Sequence, residues 1–318
     1  MGAHDLQANH RRVALTLAEL GLIFEEAKVG GSLFLDFYGD SGEILNQGLR
    51  LRTASIDLEW KTRSLMAGLE KPIFNPREPN SLAQVGISPL TGAGNLWLWI
   101  PQVRFEQRIA LAGEHSGLRA QFGVVGTREA VTYNVPAPPP YEISATRPGL
   151  EGRFELFHGR FEVAPGFHYS VSHVQHVSVP SRVFSLDWRA GLAETLDWSG
   201  ALFKGSNVGH LGTGGLGRSF NVYGRYVSPI HSMGGWTQLS WRPFPRANFN
   251  FFTGQHDDRD RDLYYGRIAK NLAYGANLIY RLAPNVLLGL EAAQVRSRYI
   301  GQPTRRNNHY DLALAYLF

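Results

Sequence analysis

No cysteine occurs among the 318 residues. A disulfide framework, a thiolate nucleophile and a cysteine-type zinc site are therefore excluded. The chain also lacks any run of roughly 20 apolar residues, so a bundle of membrane-spanning helices is excluded. Charge of one sign is never concentrated: 32 Lys and Arg interleave with 27 Asp and Glu, for a net charge of +5. Without a clustered basic patch, nucleic acid is not an expected partner. The N-terminal stretch does not read as a cleavable leader. His10-Arg11-Arg12 and the stretch from Val13 to Phe24 offer a basic and an apolar region, but Glu19 interrupts it and Glu25-Glu26 follow. With no small-x-small cleavage site, the stretch reads as a strand, and the export signal is expected upstream.

Glycine and aromatics are plentiful, with 35 Gly, 18 Phe, 13 Tyr and 7 Trp. Glycine for tight turns and aromatics for strands point to an all-β chain. Alternation with a period of two recurs from end to end, clearest over Val103 to Leu111, where Arg104, Glu106 and Arg108 share one face. In a soluble sandwich the charged face would meet bulk water. In a transmembrane barrel the apolar face meets lipid and the charged face lines the lumen. Strands are expected over 12–25, 29–39, 48–60, 62–70, 102–113, 117–127, 150–158, 161–174, 181–190, 195–205, 234–243, 246–255, 267–282, 285–298 and 305–318. Short connections such as 61–62 and 159–160 alternate with the long stretches 71–101, 128–149, 206–233 and 256–266, the asymmetry of outer-membrane barrels. The expected fold is an all-β, transmembrane antiparallel β-barrel of about fifteen strands. Residues 1–11 are expected to be a disordered or truncated segment ahead of a single barrel domain over 12–318.

If the last strand ends on the short-turn side, strand 12–25 starts on the long-loop side. An even-stranded barrel cannot begin there, so about sixteen strands are expected in the complete protein, and Met1 is not its expected beginning. Trp60, Trp188, Trp198, Trp241, Tyr280 and Tyr316 fall at strand ends beside short turns, on the apolar parity, as an aromatic girdle would. Tyr310, Leu312, Leu314, Tyr316 and Phe318 share one face of the final strand, which resembles the signal that barrel assembly machinery reads.

The stretch 49–101 resembles DcaP-like and related outer-membrane porins. The resemblance is carried by Leu49-Arg50-Leu51-Arg52-Thr53-Ala54, Leu58-Glu59-Trp60, Met66-Ala67-Gly68 and Pro76-Arg77-Glu78-Pro79-Asn80-Ser81-Leu82. A weaker echo follows in Leu186-Asp187-Trp188-Arg189 and Leu196-Asp197-Trp198-Ser199-Gly200. It implies about sixteen strands, assembly as trimers in the lipid of a bacterial outer membrane, and passage of small, often anionic solutes.

Function in such a channel lies in pore width and in the charges at its constriction, with no cofactor or metal. Parity places Arg104, Glu106, Arg108, Arg119 and Gln121 on the lumen face. Arg104, Arg108 and Arg119 are expected at mid-depth as an arginine ladder with Glu106 between its members, favouring anionic or zwitterionic solutes. Asp57, Glu59, Asp187, Arg189, Asp197, Arg242 and Arg281 are expected to form a mixed-charge ring at the short-turn rim. The 71–101 loop, with Lys71 and Arg77, reads as a constriction loop over 71–92, and 96–100 as the top of a strand that sets Trp97 and Trp99 in an upper girdle. Arg50 and Arg52 share parity with the lipid face, so they must stand above the hydrocarbon or follow a β-bulge.

The alternative is a barrel enzyme of lipase or protease type. Ser170 and Ser172 lie near His168, but parity along the strand supplies no third member. His168, His173 and His176 do not share parity and read as solvated or interfacial. Asp257 to Asp262 alternate with arginines that compete for the carboxylates, so a solvated loop is favoured over a calcium site.

Overall fold

Period-two alternation carries directly into strand pairing. The computed structural model describes residues 11–17, 23–24, 26–39, 47–84, 88–111, 113, 115–127, 143–144, 147–174, 176–212, 219–223 and 225–317. Its strands are β1 (Arg11–Leu17), β2 (Ile23–Phe24), β3 (Ala27–Gly39), β4 (Gln47–Glu59), β5 (Arg63–Glu70), β6 (Ile100–Ala110), β7 (Ser116–Val125), β8 (Ile143–Ser144), β9 (Gly149–His158) and β10 (Phe161–Val174). They continue as β11 (Val177–Ala193), β12 (Leu196–Ser206), β13 (Phe220–Tyr223), β14 (Tyr226–Pro229), β15 (His231–Phe244), β16 (Ala247–Asp258), β17 (Ile268–Ala283), β18 (Val286–Tyr299) and β19 (Gln302–Tyr316). β13 and β14 form a separate hairpin, and the other strands make one 17-stranded sheet. Neighbours along the chain pair antiparallel, as in β6 with β7, β10 with β11 and β18 with β19. Among the described residues β1 pairs only with β3, and β19 only with β18.

The sheet is inside-out relative to a soluble sandwich. Large apolar side chains on one face are open to the surroundings, Phe184 at 73% and Leu312 at 72% exposure among them. The opposite face buries Glu106, Gln121, Glu151, Arg153, Asp187, Gln238, Asn250, Asn277 and Glu291. An apolar surface of this extent cannot rest in water and fits contact with lipid. The buried apolar clusters sit where loops meet the polar face: Phe74 and Leu96 with Val183 and Phe203, and Leu90 and Ala93 with Trp236 and Phe252.

Arg50 and Arg52 are placed by a bulge. Phe34 pairs with Thr53 and Leu35 with Leu51, so Arg52 is the extra residue of β4. The bulge exchanges the faces: Leu51 is 45% exposed and Arg52 only 1%. The Arg52 guanidinium lies 4.2 Å from the Trp99 ring centre and 5.1 Å from that of Phe34. This overturns the upper-girdle placement of both tryptophans. β6 begins only at Ile100, Trp97 is buried, and Trp99 meets Arg52 on the inner side of the sheet.

Two connections on the long-loop side are tight turns that sequence patterning does not separate from their strands. His176, at φ 72°, lets β10 run into β11, and Gly301, at φ 70°, joins β18 to β19. The 206–233 stretch, expected as a loop, contains the hairpin β13–β14, whose Val227 packs on Val174 and Val179. Most of 128–149 and the terminal Phe318 lie outside the described residues.

Candidate functional site

The connection between β5 and β6, over 71–84 and 88–99, enters the space bounded by the polar face. It touches strands far apart in the sheet, which therefore curls around it. The Ile73 amide donates to Glu151 Oε2 on β9 at 2.6 Å, and Ser185 Oγ on β11 donates to the Phe74 carbonyl at 2.6 Å. Further on, the Asn80 amide donates to Gln238 Oε1 on β15 at 2.9 Å, and Ser81 Oγ donates to Glu291 Oε2 on β18 at 2.5 Å. Asn271 Nδ2 on β17 donates to the Gly92 carbonyl at 3.1 Å. Gly94, at φ 102°, lies so close to the wall that a β-carbon would overlap the carbonyl of Gly235. The inner wall is rich in amides and carboxylates because a loop with free backbone groups must find partners wherever water is displaced.

Arginines and carboxylates interlock where this segment meets β6, β7, β9, β10 and β11. Arg77 Nε donates to Asp187 Oδ1 at 2.5 Å, and its Nη2 reaches Glu162 at 2.5 Å and Glu155 at 3.3 Å. Arg153 donates to Asp187 and Glu155 at 2.8 and 2.6 Å. Arg119 contacts Glu155 at 3.1 Å and Glu106 at 3.6 Å. Arg108 bonds Glu106 at 2.7 Å and Glu59 at 3.3 Å. Gln121 Nε2 adds a 2.8 Å hydrogen bond to Glu106. Arg104 differs: among the described residues it makes no ion pair, and its Nε, like that of Arg119, is buried without a hydrogen-bond partner. Arg77, Arg104, Arg119, Arg153, Glu155 and Glu162 line a cavity of about 270 Å³.

The expected ladder is thus brought together in part. Arg108 pairs directly with Arg119 across the β6–β7 ladder, with Glu106 bonded to both. Mid-depth fits Arg104 alone: Arg108 lies two residues from the short-turn end of β6. Lys71 bonds Glu78 at 3.0 Å within the loop. Of the rim ring, Asp197 gathers Arg242 at 2.6 Å, Arg160 at 2.9 Å and Arg189 at 3.9 Å. Glu59 joins Arg108, Arg281 donates to the Pro284 carbonyl, and Asp57 accepts from Ser55. Asp187 leaves the ring, because it is fully buried in the deeper cluster with Arg77 and Arg153.

Sequence reasoning missed Glu151, Arg153, Glu155 and Glu162. The first three alternate with Leu150, Gly152, Phe154 and Leu156, the same signal that marked β6. His168 also departs from expectation. It is 2% exposed, with Nδ1 2.8 Å from Glu151 Oε1 and Nε2 2.9 Å from Ser170 Oγ. The third member that strand parity could not supply is Glu151, set opposite His168 on the neighbouring strand.

At the short-turn rim the Trp188 and Trp198 rings meet at a tilt with centres 5.3 Å apart, and Trp241 meets Phe249 at 5.6 Å. Tyr280 and Tyr316 stand opposite Ala247 and Val286, at the hairpin ends. Trp60 directly follows β4 and lies 5.1 Å from the Arg63 guanidinium. Tyr310, Leu312, Leu314 and Tyr316 are all exposed on one face of β19. Beyond the strands of the opposite rim, Asp260 pairs with Arg298 at 2.6 Å, which holds its carboxyl below the usual range. Asp262 pairs with Arg259 at 2.9 Å and Asp257 with Lys270 at 2.8 Å, as interleaved charges would.

No family model and no curated protein matches the sequence. Among solved structures, the outer membrane channel DcaP of Acinetobacter baumannii aligns with a TM-score of 0.76, covering 93% of this chain and 82% of that one at 16% identity. The anion-selective porin from Comamonas acidovorans aligns at 0.61, covering 92% and 85% at 12% identity. A porin refined at 1.8 Å aligns at 0.53, covering 96% and 92% at 10% identity. The fold is that of the outer-membrane porins. At these identities the likeness is one of fold, and it extends over nearly the whole chain.

Proposed function

We propose that the chain is a bacterial outer-membrane porin that passes small hydrophilic solutes by passive diffusion, with a preference for anionic or zwitterionic ones. The ionic face around the loop supports a water-filled path, and the apolar outer face supports residence in lipid. The observation that carries the preference is Arg104. The other three guanidiniums of the cavity are engaged by Glu106, Glu155, Glu162 and Asp187. Arg104 is left to meet a passing carboxylate or phosphate, which a guanidinium binds through paired hydrogen bonds. Assembly as trimers, and use of the β19 face as the signal for barrel assembly, belong to the same proposal.

Reversal potentials under a salt gradient test it. Arg104→Ala is expected to shift selectivity toward cations, and Arg108→Ala to shift it less, because Arg108 is already paired. A triple alanine variant at Arg104, Arg108 and Arg119 with unchanged selectivity would remove the arginines from the mechanism. The enzyme alternative gains little from Ser170, His168 and Glu151, because all three are buried and Phe74 packs against the His168 ring.

A further inference from the structure

Glu151, His168 and Ser170 link two separate segments of the interior. Glu151 Oε2 accepts the Ile73 amide at 2.6 Å and the Phe74 amide at 3.4 Å. Its Oε1 is held by His168 Nδ1 at 2.8 Å, His168 Nε2 lies 2.9 Å from Ser170 Oγ, and Ser170 Oγ lies 3.4 Å from His210 Nε2. His210 belongs to the segment after β12, whose Leu211 carbonyl accepts the Leu98 amide at 3.3 Å. A carboxylate only accepts, so with both imidazoles neutral it sets the direction of every bond in the series. His168 carries its proton on Nδ1, the Ser170 hydroxyl donates to His168 Nε2, and His210 Nε2–H donates to Ser170. His210 Nδ1 is then a lone pair, and it is buried without a hydrogen-bond partner among the described residues.

We propose that Glu151, oriented by His168, is the positioning residue that latches the loop carrying Arg77 to the wall and couples it to the segment carrying His210. The proposal rests on the channel reading. Two further contacts show that the latch seats a defined geometry. Gly166 lets the Phe74 carbonyl approach to where a β-carbon would stand 2.7 Å away, and Phe74 packs with Leu96, Val208 and Leu211 from both segments. Three residues beyond Phe74, Arg77 enters the charged cavity, so freedom at Phe74 becomes freedom of the cavity wall.

Single-channel recording in planar bilayers, with hydrogen exchange on the same detergent-folded protein, tests the latch. Glu151→Gln keeps the volume but sets an amide donor against one of its present donors. Losing a charge-assisted hydrogen bond is expected to make excursions to higher conductance roughly ten-fold more frequent. Exchange at Ile73 and Phe74 is expected to rise while β15–β17 stay protected. Ser170→Ala should free the 209–212 amides and leave Ile73 and Phe74 protected. Unchanged current and unchanged protection at Ile73 and Phe74 in Glu151→Gln would overturn the latch and leave the channel reading standing. If the variant fails to fold, His168→Gln, which leaves Glu151 charged but unoriented, carries the same two readouts, and wild-type behaviour there also overturns it. A wild-type chain that opens no channels removes the channel reading and the latch with it.

Discussion

Arg153 on β9 and Asp187 on β11 form a two-bond pair in which Nε meets Oδ2 at 2.8 Å and Nη2 meets Oδ1 at 2.8 Å. They are 2% and 0% exposed. Removing one partner of such a pair leaves a desolvated charge, a loss of about 3–5 kcal/mol. Asp187→Ala is therefore expected to lower the melting temperature of the folded protein in detergent and to loosen Arg77, which shares that carboxylate. Asp187→Asn should fall between. A melting temperature equal to the wild type's would show that the cluster contributes nothing to stability.

The seat of the loop gives a second expectation. Gly94→Ala sets a methyl group against the Gly235 carbonyl at a positive φ, with a cost of about 1–3 kcal/mol. The loop should lift from β15 and β16, and mean conductance should rise. Gly113, where a β-carbon meets nothing within 4 Å, is the control. Equal conductance of the Gly94 and Gly113 variants would place the loop elsewhere.

Acid should loosen the second segment. Burial and the neighbouring His168 push the pKa of His210 down to about 3. In the unfolded chain a histidine titrates near ~6.5, so between these values the unfolded state binds the extra proton. The contribution of His210 is complete above pH ~6.5 and is lost as pH falls toward its folded value. His168 and, behind it, Glu151 are the titratable groups of the series that face it. Current noise is expected to grow on acidification, and His210→Asn should flatten that dependence. A profile identical in the variant would assign the acid response to other groups.

The strands were legible because lipid on one side and water on the other impose the strictest alternation a sheet can carry. Thus β10 was expected over 161–174 and is found there. The bulge was half-legible: parity flagged Arg50 and Arg52 as misplaced, and only the register with Phe34 and Leu35 resolved how. The cross-strand partnership of His168 with Glu151 was invisible, because parity along one strand says nothing about which residue of the next lies opposite. The depth of Asp187 was missed for a related reason. Its strand, expected over 181–190, runs on to Ala193, which sets Asp187 deeper than a rim position, and Arg77 arrives from a distant loop to bury it. Trp97 and Trp99 were misread because an apolar run inside a loop looks like a strand end until the loop is seen to fold inward.

Adjacent residues on β6 offer the most direct measurement. Arg104 faces the charged cavity and Phe105, 43% exposed, faces outward. With no native cysteine, Arg104→Cys and Phe105→Cys each carry a single thiol. In lipid vesicles and planar bilayers, a charged, water-soluble thiol reagent is expected to modify position 104 and change the current. Position 105 should react only with a reagent that partitions into the bilayer. Equal reaction of both positions with the charged reagent, or modification at 104 that leaves the current untouched, would contradict the account.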